Sequence, residues 1–292
     1  MCPAELLLRS VGDTAFWMAY YRALETERAD ALFRDACARR LAGERGERIY
    51  RHMRWAKSGE SPMVVRTAVF DEMIADVVKR SGIDLVLNLA AGLDARPYRL
   101  PLPPTLLWVE ADLPEIIDYK GKELEKEKAA CQVERVGIDL RDRGERRLLL
   151  TGLNHRSARA LIVTEGLLVY LAPEEVAALA GDLHSMAGFG FWLTDLGSPK
   201  VLQRSNRLWG KHLRTAGAPF RFGPAEGTDF FRPYGWREAE SRWLLPEARR
   251  LKRPLPMDWL IRFWAIVMPR CTARVMKQWR SGVVLLERGD AA

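Results

Sequence analysis

The sequence predicts one α/β domain in which a doubly wound, Rossmann-like sheet follows an N-terminal cap of helices. Three observations support this. The chain has 292 residues, enough for one large domain. Beyond residue 80, short apolar runs alternate with helical segments, which is typical of a parallel sheet. The first 80 residues instead show apolar residues at helical spacing.

The core of the predicted domain spans residues 81–198. Within the cap, residues 1–80, the pattern predicts helices over Thr14 to Glu27 and Asp30 to Leu41. The predicted strands of the core are Leu85 to Leu89, Leu106 to Val109, Val133 to Ile138, Leu161 to Thr164 and Phe189 to Leu193.

The remainder of the chain divides into two segments. Residues 199–256 are rich in aromatic residues, and their Gly and Pro content argues against regular elements, so we expect an aromatic lid inserted after the fifth strand. Residues 257–292 complete the core, with a helix over Asp258 to Met268 and a closing strand over Val283 to Glu287.

Composition excludes several classes of protein. Hydrophobic residues make up 48% and charged residues 29%, as in soluble globular proteins. No apolar stretch approaches the roughly 20 residues of a membrane span, and no signal peptide begins the chain, so we expect a cytoplasmic protein without a membrane partner. The net charge of +8 comes from basic residues interleaved with acids, which argues against nucleic acid and favours acidic small molecules.

The cysteines and histidines lack the spacing of a metal site. The four residues of each type are scattered along the chain, so we expect no metal and mostly buried, reduced thiols. The sequence leaves the oligomeric state open.

The loop after the first predicted strand indicates a nucleoside cofactor. The strand runs into Ala90, Ala91 and Gly92, small residues that let a ligand approach the backbone at the edge of a parallel sheet. Glu110 and Asp112 follow the second strand, where an acid can bind a ribose diol. The combination of a strand, a small-residue turn, a second strand and an acid is a more specific signal of nucleoside binding than the turn alone.

The identity of this cofactor depends on Asp94, which lies inside the turn. A nicotinamide dinucleotide is one candidate, but a carboxylate beside its pyrophosphate is unfavourable. S-adenosylmethionine carries cationic groups and no phosphate, so it fits better. Arg66 would bind its carboxylate, unless it forms a surface ion pair with Asp71 or Glu72. Two further strand ends carry candidate residues. Glu165 would either contact the cofactor or cap a helix, and Asp139 with Leu140 would either contact adenine or form a turn.

Five motifs, in order between Thr14 and Leu196, make the chain similar to a known family. They are RT with FD over residues 66–71, NLAAGLDARPYRL over 88–100, EADLP over 110–114, DLR over 139–141 and EGLLVYL over 165–171. With these motifs the chain resembles the leucine carboxyl methyltransferase family, which belongs to the class I S-adenosylmethionine-dependent methyltransferases. It resembles especially the bacterial branch, which includes polyketide carboxyl O-methyltransferases.

The resemblance implies a role for each matching residue. It implies that Arg66 binds the cofactor carboxylate, that Gly92 and Asp94 form the turn under the methionine part, and that Asp112 binds the ribose. It likewise places Asp139 and Leu140 beside adenine and Glu165 near the methionine end. One position departs from the family pattern: Ala90 stands where the family turn usually has its first Gly.

Methyl transfer needs alignment and exclusion of water more than it needs catalytic side chains. The sequence shows no obvious base, which favours a carboxylate acceptor, since that group is already ionised at neutral pH. Tyr170 and Asp195 are the candidates for orienting the acceptor; Tyr170 is alternatively a packing residue. Aromatic residues that would line the acceptor pocket, or else form core, are Trp17, Tyr21, Tyr170, Phe220, Phe222 and Phe230. Nearby, Arg221 would attract an acidic acceptor or form part of a basic surface.

We therefore expect methyl transfer from S-adenosylmethionine to a small, apolar or acidic molecule, with carboxyl O-methylation in secondary metabolism preferred. Methylation of another oxygen or a carbon is the first alternative. A noncatalytic nucleoside-binding module is the second.

Overall fold

The computed structural model describes residues 7–289 except 54 and 257. Its helices are α1 Asp13–Thr26, α2 Ala38–His52, α3 Ala56–Ser81, α4 Arg96–Arg99, α5 Pro114–Glu123, α6 Arg143–Asn154, α7 Pro173–His184, α8 Pro199–Thr215, α9 Leu244–Arg250, α10 Asp258–Val267 and α11 Pro269–Gln278. Its strands are β1 Leu85–Leu89, β2 Leu107–Asp112, β3 Gln132–Gly137, β4 Ala160–Thr164, β5 Phe189–Gly197, β6 Trp236–Trp243 and β7 Ser281–Arg288. Leu168–Tyr170 and Gly227–Tyr234 form 3-10 helices.

The strands form one mixed sheet in the order β3-β2-β1-β4-β5-β7-β6. The first five are parallel, whereas β7 runs antiparallel to β5 and β6. The order reverses between β1 and β4, which is the point where open α/β sheets bind ligands. All five strands predicted for the core are present, and β1 has the predicted bounds.

Burial explains why these runs form strands. Every residue of β1 and β4 is buried, because helices cover both faces of the central sheet and so select continuous apolar sequence. One core packs α6 and α7 against the sheet, and a second packs α3 and α9 on the other face. A third joins α1 and α2 to the loop after β1, so the helical cap covers the carboxyl edge of the sheet.

The prediction that residues 199–256 lack regular elements is wrong. The Gly and Pro residues concentrate between residues 217 and 233, while α8 precedes them and β6 and α9 follow. β6 escapes sequence detection because it is a half-exposed edge strand rich in charged residues, anchored by the buried Trp236. The helix predicted from Asp30 to Leu41 is also misplaced, since α2 begins at Ala38.

The exposure of the cysteines and the length of the helices bear on two further expectations. Cys37 is buried and Cys131 half-buried, but Cys271 is exposed; Cys2 lies outside the described part of the chain. Among the helices that the structure describes, none combines the length and apolar character needed to cross a bilayer.

Candidate active site

A cavity of about 610 Å³ lies at the carboxyl ends of β1 to β5, beneath the helical cap. This volume suits a small-molecule site. Its walls bring together sequence-distant segments: α1, α3, the loops after β1, β3 and β4, the end of β5, and α8 with the loop that follows it.

The turn after β1 holds Asp112 at the cavity wall. The Gly92 N–H donates to Asp112 Oδ2 at 2.6 Å, and the Leu113 N–H donates to Oδ1 at 2.7 Å. Gly92 has a φ of 50°, and a Cβ there would lie 3.2 Å from the Ala15 Cβ, so glycine suits both the conformation and the space. Burial raises the pKa of the Asp112 carboxyl. The carboxylate is thus fixed where it can accept hydrogen bonds from a ligand hydroxyl.

Ala90 opens the same turn in a strained conformation. Its φ is 54°, in the left-handed region that costs an L-residue other than glycine about 1–2 kcal/mol. The position where this chain departs from the family pattern is therefore one that geometrically favours glycine.

Asp94 is buried beside the guanidinium of Arg96, a pairing that the sequence did not predict. It accepts hydrogen bonds from Asn88 Nδ2 at 3.0 Å and from Arg96 Nη1 at 2.9 Å. Burial by itself would raise the pKa of Asp94, but the Arg96 guanidinium holds it well below its usual range. Since Arg96 also lines the cavity, the turn is not simply negative. Because Arg96 pairs with Asp94, the Asp94 carboxylate alone does not disfavour a pyrophosphate in this turn.

Arg66, on α3, joins two carboxylates at the far side of the turn. Its Nε donates to Glu165 Oε1 and its Nη1 to Asp195 Oδ2, both at 3.1 Å. Arg96 Nη1 contacts the second Glu165 oxygen at 2.8 Å. The Gly166 N–H donates to Asp195 Oδ1 at 2.6 Å, so each oxygen of the two carboxylates has a partner within the protein.

The two carboxylates differ in acidity despite their shared partner. Burial would raise the pKa of Glu165, but Arg96 and Arg66 lower it overall. Burial raises the pKa of Asp195 in spite of Arg66. The alternative partners considered for Arg66 are engaged elsewhere: Asp71 binds Arg96 and Arg99, and Glu72 binds Arg242 and Arg250.

Asp139 and Leu140 line the cavity beyond β3. The guanidinium of Arg141 pairs with Asp139 and holds its pKa below the usual range, with hydrogen bonding as the main cause. The Leu140 carbonyl accepts a hydrogen bond from Arg146 Nη1 at 2.6 Å. Ile138 adds a second apolar side chain to this wall. A flat, mainly apolar group would fit here.

Two predicted site residues lie outside the cavity lining. Glu110, predicted to bind the ribose, is fully buried and pairs with Lys120 Nζ at 2.8 Å and Arg135 Nε at 3.0 Å. Phe230, predicted to bind the acceptor, packs beside the sheet, with its ring centroid 4.9 Å from that of Phe222 and 5.3 Å from that of Phe231. The structure brings neither side chain to the cavity, because both make contacts that stabilise the fold.

The other predicted aromatic residues do line the cavity: Trp17, Tyr21, Tyr170, Phe220 and Phe222. The Tyr21 hydroxyl donates to the Ala56 carbonyl at 2.6 Å, and burial raises the pKa of both Tyr21 and Tyr170. Both tyrosines are therefore poor proton acceptors near neutral pH.

Sequence reasoning missed further residues of the cavity wall. Met18, Met63 and Trp209 complete its apolar half. The Trp17 and Trp209 rings meet edge to face with centroids 5.6 Å apart. The aromatic content of residues 199–256 pointed to Trp209, but only the helical spacing of α8 shows that it shares a face with the cavity-lining Leu202 and Ser205.

The chain is similar in sequence to known methyltransferases. A family model described as leucine carboxyl methyltransferase matches residues 15–184. A Mycobacterium marinum protein named "Putative S-adenosyl-L-methionine-dependent methyltransferase" is 31% identical over 273 residues, covering 85% of this chain and 87% of that protein. A Mycobacteroides abscessus protein of the same name is 36% identical over 197 residues, covering 62% and 65%, respectively.

Two solved structures share the fold at low sequence identity. A "putative methyltransferase" from Thermobifida fusca has a TM-score of 0.60 at 16% identity, covering 98% of this chain and 97% of that one. A DUF574 family protein from Streptomyces avermitilis has a TM-score of 0.59 at 12% identity, covering 94% and 97%. The predicted α/β fold is confirmed.

Proposed function

The chain belongs to the leucine carboxyl methyltransferase family and is an S-adenosylmethionine-dependent methyltransferase, as its sequence predicted, and from this premise we propose that it methylates the carboxylate of a small molecule. The acceptor would occupy the apolar half of the cavity, between α1, α3, α8 and the loop over residues 217–222. S-adenosylmethionine supplies an electrophilic methyl group when bound.

The residues at the sheet edge fit this cofactor chemically. Asp112, fixed by two backbone N–H groups, has the acceptor oxygens for ribose hydroxyls. Ile138 and Leu140 offer an apolar wall for adenine. The hydrogen bonds of Arg66 to Glu165 and Asp195 engage two of the five N–H groups of a guanidinium, which leaves donors for the cofactor carboxylate.

The observation that carries the carboxylate proposal is the lack of a suitable base. No His, Lys or Cys is found among the described residues that line the cavity. Glu165 and Asp195, the acids beside Arg66, hydrogen-bond or pair with guanidinium or backbone N–H groups through both oxygens, and protonation would weaken those contacts. A carboxylate needs no deprotonation at neutral pH, so positioning beside the methyl donor suffices.

The shape and charge of the apolar half support the same acceptor class. Trp17, Met63, Trp209 and Phe220 would contact an apolar or aromatic body. Arg221 also lines the cavity, and the backbone N–H of this residue donates to the Val169 carbonyl at 2.7 Å, which ties its loop to the segment after β4. A guanidinium at this position favours an anionic acceptor.

A second candidate function rests on Asp195. Its raised pKa would suit a general base, so methylation of a phenol or carbon acceptor remains the alternative. Protonation of Asp195 would weaken its charge-assisted hydrogen bond from Arg66, which is why we prefer the first proposal.

The product distinguishes the two candidates. The protein is incubated with methyl-labelled S-adenosylmethionine and a panel of aromatic and aliphatic carboxylic acids, their primary amides, and phenols. We expect label only with the acids, and release of labelled methanol by mild alkali, because the product is a methyl ester. Alkali-stable label on a phenol, with a pH dependence abolished in Asp195→Asn, would establish the alternative instead.

The biological setting is part of the same proposal. A cavity of this size, lined by aromatic and thioether side chains, suits an apolar acid, and we propose that this acid is a secondary metabolite methylated in the cytoplasm. If calorimetry shows cofactor binding and the full panel shows no turnover, the acceptor belongs to a chemical class outside the panel, and the carboxylate proposal fails.

A further inference from the structure

Helices α10 and α11 present an unusual amount of apolar surface. Trp259 is 72% exposed, Phe263 55% and Ile266 83%. Other exposed apolar residues of this segment are Trp264, Val267, Met268, Val275 and Trp279. We call α10, α11 and Trp279 the C-terminal hairpin. Exposed apolar patches of this kind mark interaction sites, since water contact with them is unfavourable.

Beyond Asp258, the first residue of α10, the charge of the C-terminal hairpin has a single sign. Residues 259–280 contain five basic residues and no acid: Arg262, Arg270, Arg274, Lys277 and Arg280. Arg262, Arg270 and Lys277 are exposed and form no salt bridge with any residue between 7 and 289 that the structure describes. Asp258 itself is buried and pairs with Arg249 at 2.8 Å, so it adds no exposed negative charge. An anionic partner is therefore indicated.

The distribution of apolar residues around α10 indicates a fluid partner. At 100° per residue, Trp259, Phe263 and Ile266 lie on one side of the helix, whereas Trp264 and Val267 extend the apolar surface around it. The principal contact of α10 within the fold is α11. A rigid protein partner covers one face of a helix, whereas a lipid layer can surround most of it.

We propose that the C-terminal hairpin binds the surface of an anionic lipid bilayer. Its aromatic and aliphatic side chains would enter the boundary between headgroups and acyl chains, and its basic side chains would contact the anionic headgroups. Such a helix lies in the interface and does not span it. The proposal therefore departs from our expectation of no membrane partner, which rested on the lack of a spanning segment.

A second copy of the chain is a less suitable partner for this surface. A two-fold dimer contact would place the same patch of each copy against the other. Two patches without an acid would then face each other, in a protein whose net charge is already +8. Charge repulsion opposes that contact and favours the bilayer.

The C-terminal hairpin is also attached to the wall of the cavity. The Ser198 N–H donates to the Arg280 carbonyl at 2.8 Å, and the Ser198 hydroxyl donates to the Gln278 carbonyl at 2.7 Å. Ser198 is the N-cap of α8, whose residues Val201 and Trp209 line the cavity. A bound lipid surface would thus lie next to the apolar half of the cavity, where we place the acceptor. Lipid binding does not depend on which acceptor is used.

The test is sedimentation of the full chain with vesicles of phosphatidylcholine alone or with added phosphatidylglycerol. We expect the protein to bind the anionic vesicles at least about tenfold more tightly than vesicles of phosphatidylcholine alone. Added salt should weaken this binding. The triple variant Trp259→Ser, Phe263→Ser, Ile266→Ser should bind the anionic vesicles about tenfold or more weakly than the original chain. The same loss of affinity is expected for the triple variant Arg262→Gln, Arg270→Gln, Lys277→Gln. Matched controls are Leu148→Ser, which removes an exposed apolar side chain on α6, and Lys122→Gln, Lys126→Gln, Lys128→Gln, which removes equal charge elsewhere.

Each result decides for or against the proposal. Binding lost in both hairpin variants and retained in both controls supports it. Equal binding to neutral and anionic vesicles, no binding at all, or unchanged binding of the hairpin variants overturns it. Dimers in sedimentation velocity that dissociate in the apolar hairpin variant would assign the surface to a second copy of the chain instead. Thermal unfolding confirms that each variant is folded.

Discussion

The two halves of the cavity are built in different ways. The half that we propose binds the cofactor, called the cofactor half, consists of backbone turns and charged side chains at the ends of β1, β2 and β4, and each carboxylate there has fixed partners. The acceptor half consists of apolar side chains from α1, α3, α8 and the loop over residues 217–222. The first half is held by directional bonds and the second by packing. Substitutions should therefore have larger effects in the first half than in the second.

The largest expected effect is on the buried ion cluster below the cofactor half. Arg96 is 2% exposed and contacts Asp71, Asp94 and Glu165. Arg96→Met should lower the free energy of unfolding by about 3–5 kcal/mol, because it leaves buried carboxylates without their cation. Urea denaturation measures this value.

The matched control for this substitution is Arg237→Met, which breaks an exposed ion pair with Glu287. We expect a change below about 1 kcal/mol. Similar losses in the two variants would show that the cluster contributes no more than a surface pair.

The next effect concerns cofactor affinity. Asp112→Ala removes a carboxylate proposed to bind the ribose and should weaken S-adenosylmethionine binding by about 1–3 kcal/mol in calorimetry. Trp209→Ala, in the acceptor half, should leave that affinity unchanged. If Asp112→Ala binds the cofactor normally, the assignment of the cofactor half fails.

A smaller effect is expected in the acceptor half itself. Trp209→Ala and Phe220→Ala each remove an aromatic contact worth about 0.5–1.5 kcal/mol, so the acceptor KM should rise severalfold. The cofactor Kd, measured in parallel, should stay constant. A loss of cofactor binding in these variants would mean that the two halves are not separable.

The smallest expected effect is a gain in stability. Ala90→Gly relieves the left-handed φ of 54°, and after the entropy cost of glycine it should raise the free energy of unfolding by up to about 1 kcal/mol. Ala91→Gly, where φ is not positive, should lower it by about 0.5–1 kcal/mol. Thermal unfolding of the two variants should thus move in opposite directions.

The sequence predicted the cofactor half better than the acceptor half. Strands such as β1 are continuous apolar runs, and the residues at the ends of parallel strands meet at one edge of the sheet. Arg66, Gly92, Asp112 and Glu165 could therefore be placed together from short motifs. Glu110 could not be excluded, because its separation from Gly92 also fits a ribose ligand; only the packing of α5 shows that it pairs with Lys120.

The acceptor half depends on contacts between distant segments. Phe220 and Phe230 lie in the same Gly- and Pro-rich stretch, yet Phe220 faces the cavity and Phe230 packs near the sheet. Their environment in sequence is alike, and the difference arises from the 3-10 helix at Gly227–Tyr234, which carries Phe230 into the aromatic cluster. No local pattern encodes that choice.

The sequence by itself determined the parallel strands and the order of the motifs at their ends, because strand burial and turn chemistry depend on neighbouring residues. Tertiary structure alone decided the pairing of each buried charge, the place of β6 at the sheet edge and the aromatic residues that reach the cavity. Those outcomes depend on which distant side chains share one desolvated space, and a linear pattern does not specify that.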